Sequence, residues 1–423
     1  MPTFMPNTLG IYVSIPFCRA KCSYCNFASG VFGSERMAAY VDRLAAEIRA
    51  IRAQAELWNA VLPEKLDSVY FGGGTPSLLS TEQMQQILTA LQEVFFFEAG
   101  AEITLECAPG QLSDELSQAL PRLGFNRVSL GVQSFVDHEA AAVGRLHTRA
   151  ITLAEIERLR RAGIDDINVD LIAGLPHQTL ESWQESLYAA LATGVPHLSV
   201  YMLDVDEDSR LGREMLAGGT RYGVGLVPHE ATIAAMYNQA CEQFSRAGVA
   251  QYEISNFARA GCESRHNLKY WTRQPYLGFG LDAHSFLHTT DGNAVRASLT
   301  DDLTQYFDRS ADEILTPVST NEAIEEAWFL GLRLAAGVSL PAMEEKIGHA
   351  AMRAFQPILA ECEELGLLER TGPQIRLTQQ GRLFANDVFA RFLGVLATAE
   401  SAEANLQKQK FQEPTFEKQG AFV

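Results

Sequence analysis

The amino-acid sequence predicts an α/β protein, a partial parallel (β/α)6-type barrel followed by a winged-helix-like C-terminal domain. Short β-branched or aromatic runs alternate with longer helical patterns up to about residue 205, and this alternation implies parallel strands with right-handed crossovers. No dinucleotide-binding fingerprint opens the first unit, which disfavours a doubly wound sheet. Glu106, Gln133 and Asp170 stand at or just after the ends of three predicted strands, where parallel barrels collect their chemistry.

Six strands and five helices alternate in this prediction. The strands cover residues 11–15, 66–71, 102–106, 127–132, 166–172 and 197–203. The helices cover residues 36–58, 81–96, 113–123, 148–162 and 179–192. Apolar residues three and four positions apart and Ser or Thr at several starts support these helices. A further helix over 229–247 precedes a stretch, 252–286, whose glycine, asparagine and aromatic residues predict irregular structure.

We expect three segments: a barrel domain over residues 1–290, a second domain over 291–396 and a polar tail over 397–423. The second domain is predicted to contain helices over 322–334, 342–347 and 355–365, a hairpin of 368–370 with 375–377, and a last helix over 380–396. This order is typical of winged helices. Because the segment is not basic, we interpret it as a structural or partner-docking module.

Composition restricts the class of function. The 423 residues carry 34 basic and 52 acidic side chains, a formal net charge of −18, and such a surface repels nucleic-acid backbones. No run reaches the roughly 18 apolar residues of a membrane-spanning helix, and the first residues do not resemble a signal peptide. Seven cysteines, three of them within eight residues, are not spaced like a disulfide framework. The sequence therefore predicts a cytoplasmic protein without a transmembrane segment and without nucleic acid as a partner.

Cys18, Cys22 and Cys25 form a C-x3-C-x2-C run directly after the first predicted strand. Closely spaced thiolates can wrap an iron–sulfur cluster, and three ligands leave one iron of a four-iron cluster open to another group. A zinc site would need a fourth ligand nearby, and no His, Cys, Asp or Glu lies between Cys25 and Glu35. The run therefore predicts a [4Fe-4S] cluster with one open iron.

This run resembles the cluster loop of the radical S-adenosylmethionine (radical SAM) proteins, in which the open iron binds the amino and carboxylate groups of S-adenosylmethionine. Residues 12–17, Tyr-Val-Ser-Ile-Pro-Phe, resemble the oxygen-independent coproporphyrinogen III oxidase subgroup, and the resemblance covers residues 10 to about 395. It implies a radical SAM barrel in which the cofactor supplies the difficult chemistry.

The resemblance also implies which residues contact S-adenosylmethionine. The glycine turn after the second strand lacks the Lys-Ser/Thr of a phosphate loop and looks like the stretch that binds the methionine amino group. The implied contacts are Tyr12, Gly73, Gly74, Thr75, Glu106, Gln133, Arg145 and Asp170. Carboxylates accept hydrogen bonds from ammonium or hydroxyl groups, and arginine pairs with a carboxylate. Without the resemblance, each of the charged residues would be an ordinary strand-end or salt-bridge residue.

Two details favour the heme-chaperone branch of this subgroup over its oxidases. Phe27 stands where the oxidases carry a further cysteine, and residues 266–271 form an H-N-x-x-Y-W motif like that of the chaperone branch. The implied heme residues are His266, Asn267, Tyr270 and Trp271, with the imidazole as a candidate iron ligand. Cys262 is an alternative ligand, and the Gly/His loop over 278–285 could line the same cleft.

We therefore expect a heme chaperone that binds heme and transfers it to an acceptor protein, while it carries the cluster and S-adenosylmethionine. The alternative is a radical SAM enzyme that acts on a porphyrinogen, supported by the complete set of cofactor residues. A third hypothesis, a DNA-binding regulator that uses the cluster as a redox sensor, is disfavoured by the net charge of −18. The resemblance also allows a homodimer, and whether S-adenosylmethionine is cleaved or structural stays open.

Overall fold

A computed structural model describes residues 7–308 and 313–397. The chain divides into two compact units, residues 1–318 and 319–423. The first unit extends beyond the expected boundary at residue 290, because two further strands continue its sheet. The expected polar tail, 397–423, lies outside the described residues except for Ala397.

The described part of the first unit is built on one twelve-stranded sheet. Its strands are Thr8–Ile15 (β1), Lys65–Gly73 (β2), Phe96–Cys107 (β3), Arg127–Gln133 (β4), Asp166–Ala173 (β5), His197–Met202 (β6), Ala250–Gln251 (β7), Asn256–Ala258 (β8), Tyr276–Phe279 (β9), His284–His288 (β10), Ala294–Ser298 (β11) and Ile314–Val318 (β12). They lie in the order β12-β11-β10-β9-β1-β2-β3-β4-β5-β6-β8-β7, and neighbours from β9 through β6 are parallel. The six predicted strands and their parallel order are confirmed.

Helices connect these strands. In the first unit they are Ser34–Leu57 (α1), Thr81–Val94 (α2), Asp114–Ala119 (α3), Asp137–Ala142 (α4), Arg149–Arg161 (α5), Leu180–Ala192 (α6), Arg210–Leu216 (α7), Glu230–Arg246 (α8), Arg265–Trp271 (α9) and Leu303–Asp308 (α10). Ser80, Thr148 and Thr179 cap α2, α5 and α6 by accepting a backbone N–H of the first turn. Helix α3 is shorter than the predicted 113–123 and ends close before Pro121, because proline has no backbone N–H to continue the helical hydrogen bonds.

Residues 252–286 are ordered into elements, and the prediction of irregular structure was wrong. The segment contains the strands β8, β9 and β10 and the helix α9. β9 pairs in parallel with β1, with Gly278 opposite Tyr12, so it extends the parallel sheet beyond β1. Strands of three to five residues with glycines among them carry too little alternation to be recognised from sequence.

Alternation along the parallel strands separates an apolar face from a polar one. In β1, one face consists of fully buried aliphatic residues: Leu9, Ile11, Val13 and Ile15. The opposite face carries Tyr12 and Ser14, and neighbouring strands add Ser68 and Glu102 on the same side. The interior of the barrel is therefore polar, which suits a bound ligand better than a packed apolar core.

The second unit has a winged-helix-like order. Its described elements are Thr320–Arg333 (α11), Val338–Ser339 (β13), Leu340–Glu364 (α12), Leu368–Thr371 (β14), Gln374–Leu377 (β15), Gln379–Leu383 (α13) and Ala385–Ala390 (α14). α12 is broken at Gly348 (φ 81°, ψ 160°), so it corresponds to the two helices predicted over 342–347 and 355–365. The helix predicted over 380–396 is instead two short helices, because Phe384 (φ −110°, ψ 29°) leaves helical geometry.

Candidate functional site

A cavity of about 440 Å³, here called the cluster cavity, opens at the carboxyl ends of the parallel strands. Ten of the residues predicted to bind the cluster or S-adenosylmethionine line it: Cys18, Cys22, Cys25, Gly73, Gly74, Thr75, Glu106, Gln133, Arg145 and Asp170. Its volume lies in the usual range for small-molecule sites. The fold thus brings residues from six separate stretches of the chain to one place.

The cysteine loop that follows β1 is held by hydrogen bonds between its own residues. The N–H of Cys18 donates to the carbonyl oxygen of Gly30 at 2.9 Å. The ammonium group of Lys21 donates to the carbonyl oxygens of Phe27 and Ser29 at 3.0 and 3.1 Å. These bonds close residues 18–30 into a loop, and its three cysteines are free of disulfides and reach the cluster cavity.

Within the described ranges, no three His, Cys, Asp or Glu side chains converge as they would around a single metal ion. A [4Fe-4S] cluster does not require such convergence, because each thiolate binds its own iron atom. Thr75 donates its hydroxyl hydrogen to Cys18 Sγ at 3.8 Å, a contact that supports a sulfur carrying negative charge. The donor set therefore fits a cluster with three protein ligands.

The glycine turn after β2 lies directly against the cysteine loop. Gly74 N–H donates to the Ile15 carbonyl oxygen at 2.8 Å, and Thr75 N–H donates to that of Phe17 at 2.7 Å. A Cβ atom on Gly74 would lie 2.7 Å from the Phe17 carbonyl oxygen, closer than side chains approach. Gly73 has φ of 100°, a conformation that favours glycine. Both glycines are required for the turn to approach the cysteine loop this closely.

Two half-buried carboxylates form one wall of the cluster cavity. Glu106 accepts a hydrogen bond from the Tyr70 hydroxyl at 2.8 Å, and burial, with a smaller effect of Asp170, raises the pKa of Glu106 to about 7. Asp170 accepts from Asn168 Nδ2 at 2.7 Å and from the Ser129 hydroxyl at 3.2 Å. Burial also raises the pKa of Asp170. Such a wall favours ligand groups that are cationic or donate hydrogen bonds.

Arg145 and Gln133 meet near Gly131 of β4. Arg145 donates to the Gly131 carbonyl oxygen and, at 3.5 Å, to Cys22 Sγ. Gln133 has a left-handed backbone with φ of 70°, which is uncommon for a residue other than glycine. Its Oε1 atom is buried without a hydrogen-bond partner among the described residues. Because an unpaired buried acceptor is unfavourable, this oxygen fits a ligand group that donates a hydrogen bond.

Tyr12 does not line the cluster cavity but a second one of about 270 Å³, here called the aromatic cavity. The lining of the aromatic cavity also includes Phe27, Tyr270, Tyr276 and His284. Gly73 and Phe27 border both cavities, so the two are neighbours. The Tyr12 ring stacks on Tyr70 with the centroids 6.0 Å apart.

The H-N-x-x-Y-W motif forms helix α9, and its histidine is buried. His266 is 1% exposed. Its Nδ1 atom lies 3.1 Å from the Ser68 hydroxyl oxygen, and its Nε2 atom lies 2.8 Å from the Tyr270 hydroxyl oxygen. Burial lowers the pKa of His266 to about 3, so the imidazole stays neutral. Both ring nitrogens are thus engaged within the protein.

Helix α9 is anchored near the amino-terminal part of the barrel strands, whereas the cysteines follow the carboxyl end of β1. Glu102 of β3 accepts from the backbone N–H groups of Arg265 at 2.9 Å and His266 at 3.1 Å. Lys269 is buried and pairs with Asp67 of β2 at 2.8 Å. These contacts attach α9 to β2 and β3, and the helix therefore stabilises the barrel.

The other predicted heme residues are distributed unevenly. Asn267 and Trp271 are half-buried on α9, and Cys262 is half-buried just before it. None of the three lines either cavity in the described structure. The Cys262 carbonyl oxygen accepts from Arg127 at the start of β4, at 3.2 Å. Among the residues predicted to bind heme, Tyr270 lines the aromatic cavity, and the others line neither of the two described cavities.

Several residues around the cluster cavity were missed from the sequence. Tyr24, Ser129 and Tyr201 line the cavity, and Tyr70 bonds to Glu106 beneath it. A signal was present for Tyr70, because it alternates with the apolar Val69 and Phe71 in β2 and therefore faces the polar interior. The loop residue Tyr24 carries no such pattern.

The chain is similar to known proteins over most of its length. Residues 12–188 match the model of the Radical SAM superfamily, and residues 318–384 match that of the HemN C-terminal domain. The chain is 35% identical over 394 residues to the heme chaperone HemW of Bacillus subtilis, which covers 91% of this chain and 99% of that protein. The chain belongs to the HemW family. HemW of Lactococcus lactis is 33% identical and covers 92% of this chain and 97% of its own.

The HemW-family fold resembles a solved structure. Coproporphyrinogen III oxidase (HemN) from Escherichia coli, described as a radical SAM enzyme, matches with a TM-score of 0.76 and 24% identity, over 91% of this chain and 90% of that chain. At this identity the likeness concerns the fold, and it confirms the predicted α/β barrel architecture. In residues 7–308 and 313–397, every helix is too short or too polar to traverse a bilayer.

Proposed function

We propose that this protein is a heme chaperone, which binds heme and transfers it to an acceptor protein. The observation that carries the proposal is the similarity to HemW heme chaperones over nine-tenths of the chain. Phe27 in place of a further cysteine and the H-N-x-x-Y-W motif support it. A cytoplasmic location and a homodimer stay predictions, the latter open to light scattering with and without the cluster.

In this proposal Cys18, Cys22 and Cys25 hold a [4Fe-4S] cluster, with S-adenosylmethionine at its open iron. Bound together, these groups supply one-electron chemistry. Glu106 and Asp170 accept hydrogen bonds from the ligand. The remaining proposed contacts are Tyr12, Gly73, Gly74, Thr75, Gln133 and Arg145, of which the arginine pairs with a carboxylate and the glutamine accepts from a hydroxyl group.

Heme is proposed to bind in the aromatic cavity, beside the cluster cavity. The flat faces of Tyr12, Tyr270 and Tyr276 suit a porphyrin. The heme residues predicted from the motif, His266, Asn267, Tyr270 and Trp271, would then form the helix behind this cavity. Ligation by one ring nitrogen of His266 would require its bond to Ser68 or to Tyr270 to break, and a buried group left unpaired costs about 1–3 kcal/mol.

A second candidate, a radical enzyme that acts on a porphyrinogen, is favoured by the assembled cluster cavity. Its activity would form 5′-deoxyadenosine, and carboxylates of coproporphyrinogen III would be lost as carbon dioxide. The chaperone would instead bind heme without turnover.

One experiment separates these functions. The cluster is reconstituted anaerobically, heme is titrated into the protein and followed by its absorption, and the loaded protein is mixed with a heme-free b-type cytochrome domain. We expect saturable binding with one heme per chain, followed by transfer to the acceptor. Absence of saturable binding, together with 5′-deoxyadenosine release from coproporphyrinogen III, would establish the enzyme instead.

A further inference from the structure

His284 stands at the aromatic cavity with its side chain 64% exposed. In the described part of the chain its ring forms no hydrogen bond, and the Asp282 carboxylate lies 3.9 Å from its Nε2 atom. An exposed imidazole whose ring nitrogens are not bonded to the protein keeps a nitrogen lone pair available to a metal. His266 differs in both respects, being buried with both nitrogens engaged.

The turn before His284 is fixed from three sides. The consecutive N–H groups of residues 280–282 donate to the Glu47 carboxylate at 3.0 Å, the Tyr40 hydroxyl at 2.8 Å and the Thr300 carbonyl oxygen at 2.9 Å. Asp282 has a left-handed backbone with φ of 57°, a conformation that aspartate adopts more readily than most other residues. These three backbone hydrogen bonds fix the turn that presents His284 at the aromatic cavity.

The wall around His284 is aromatic on several sides. Tyr12, Tyr270 and Tyr276 line the cavity, and Phe27 is 57% exposed at the border with the cluster cavity. An exposed phenylalanine beside a cavity lacks the burial that normally accounts for an aromatic side chain. A planar ligand bound there would cover Phe27 and lie beside the exposed imidazole of His284.

We propose that His284 is the axial ligand of heme iron and that heme lies against the aromatic cavity. This inference rests on the proposed heme-binding function and names the iron ligand for it. Coordination transfers no electron and breaks no covalent bond, because a ring nitrogen of the neutral imidazole donates its lone pair to the iron. Tyr270 is the link to the H-N-x-x-Y-W motif, which holds this tyrosine in the cavity wall through His266.

The test compares His284→Ala with His288→Ala, a histidine of the same strand that lines neither cavity. Both variants are reconstituted with the cluster, their iron and sulfide contents and thermal unfolding are checked, and heme is titrated anaerobically. Absorption and electron paramagnetic resonance spectra report the ligand. We expect His284→Ala to bind heme at least about tenfold more weakly and to lose the histidine-ligated spectrum. Free imidazole should restore that spectrum, and His288→Ala should match the unmodified protein.

Other outcomes would overturn either the assignment of His284 or the proposed heme-binding function. If His284→Ala retains the affinity and spectrum of the unmodified protein, His284 is not the ligand and the inference is overturned. His284→Met, which keeps a side chain that can bind iron, should change the spectrum without abolishing binding, and an unchanged spectrum would count equally against the inference. If the unmodified protein binds no heme, the proposed function itself fails, and the two failures are distinguished.

Discussion

The cluster cavity and helix α9 carry comparably clear sequence motifs, but they differ in how their polar atoms are satisfied. At the cluster cavity, three thiols are free of disulfides, and Gln133 Oε1 is buried without a partner among the described residues. At α9, both nitrogens of His266 are bonded, and Glu102 satisfies the first N–H groups of the helix. Since an unsatisfied buried group costs about 1–3 kcal/mol, the first region suits a ligand and the second stabilises the fold.

The difference teaches that a motif indicates a family but not which of its atoms are available for chemistry. His266 belongs to the more recognisable motif, yet its imidazole supports the barrel. His284 begins strand β10 outside that motif, yet its imidazole is exposed beside aromatic side chains. Whether a side chain can bind a ligand depends on its burial and on its hydrogen-bond partners from distant parts of the chain.

The largest effect is expected at the cluster cavity. Cys22→Ala should lose essentially all cluster iron, because the remaining two thiols cannot hold a cube that needs at least three. Iron and sulfide analysis after anaerobic reconstitution measures this. The matched control is Cys241→Ala on α8, which does not line the cavity and should keep its full iron content. Full iron in Cys22→Ala would place the cluster elsewhere.

At α9 the expected effect is on stability. His266→Ala removes a buried ring and leaves Ser68 and Tyr270 without their bonds, so we expect the free energy of unfolding to fall by about 3 kcal/mol. Urea unfolding measures it, and His138→Ala, at an exposed position, should leave stability almost unchanged. Unchanged stability combined with lost heme binding would instead make His266 the heme ligand.

A pH dependence of stability is expected from Glu106 in the cluster cavity. Burial raises the pKa of Glu106 from 4.5 to about 7, so the folded protein keeps a proton that the unfolded chain releases. Stability should therefore fall as pH rises from 4.5 to 7, with Glu106 contributing about 3 kcal/mol. Glu106→Gln should remove this contribution in urea unfolding at pH 5 and pH 8.

Glu47 is the control for this prediction. Burial also raises its pKa to about 7, but it bonds to Tyr306 and Gly280 away from the cluster cavity. Glu47→Gln should change the pH dependence of stability while S-adenosylmethionine binding persists, whereas Glu106→Gln should weaken that binding as well. Equal binding by both variants would contradict the assignment of Glu106.

The smallest effect is expected where a charge anchors α9. Glu102→Gln keeps the shape of the side chain but weakens its acceptance of the N–H groups of Arg265 and His266, for an expected loss of about 1 kcal/mol. Glu98→Gln, at an exposed position of the same strand, should be neutral. The urea midpoints of unfolding test both variants. A loss of cluster iron in Glu102→Gln would contradict the independence of helix α9 and the cluster cavity.

Local patterns in the sequence determined much of this protein. Alternation along strands, apolar rows on helices and capping residues predicted six strand–helix units, because these signals act within a few residues. The spacing of Cys18, Cys22 and Cys25 and the glycine turn predicted a cofactor site for the same reason. Polar residues at strand ends predicted a shared cavity, since parallel strands direct their carboxyl ends to one side.

The tertiary structure decided what these patterns could not. The pairing of β9 with β1, the burial of His266 and the position of Tyr12 in the aromatic cavity depend on contacts between residues far apart in the chain. A side chain becomes a ligand or a support according to the partners that surround it. Those partners, such as Ser68 for His266 and Asp282 for His284, are chosen by register and packing, which local sequence does not encode.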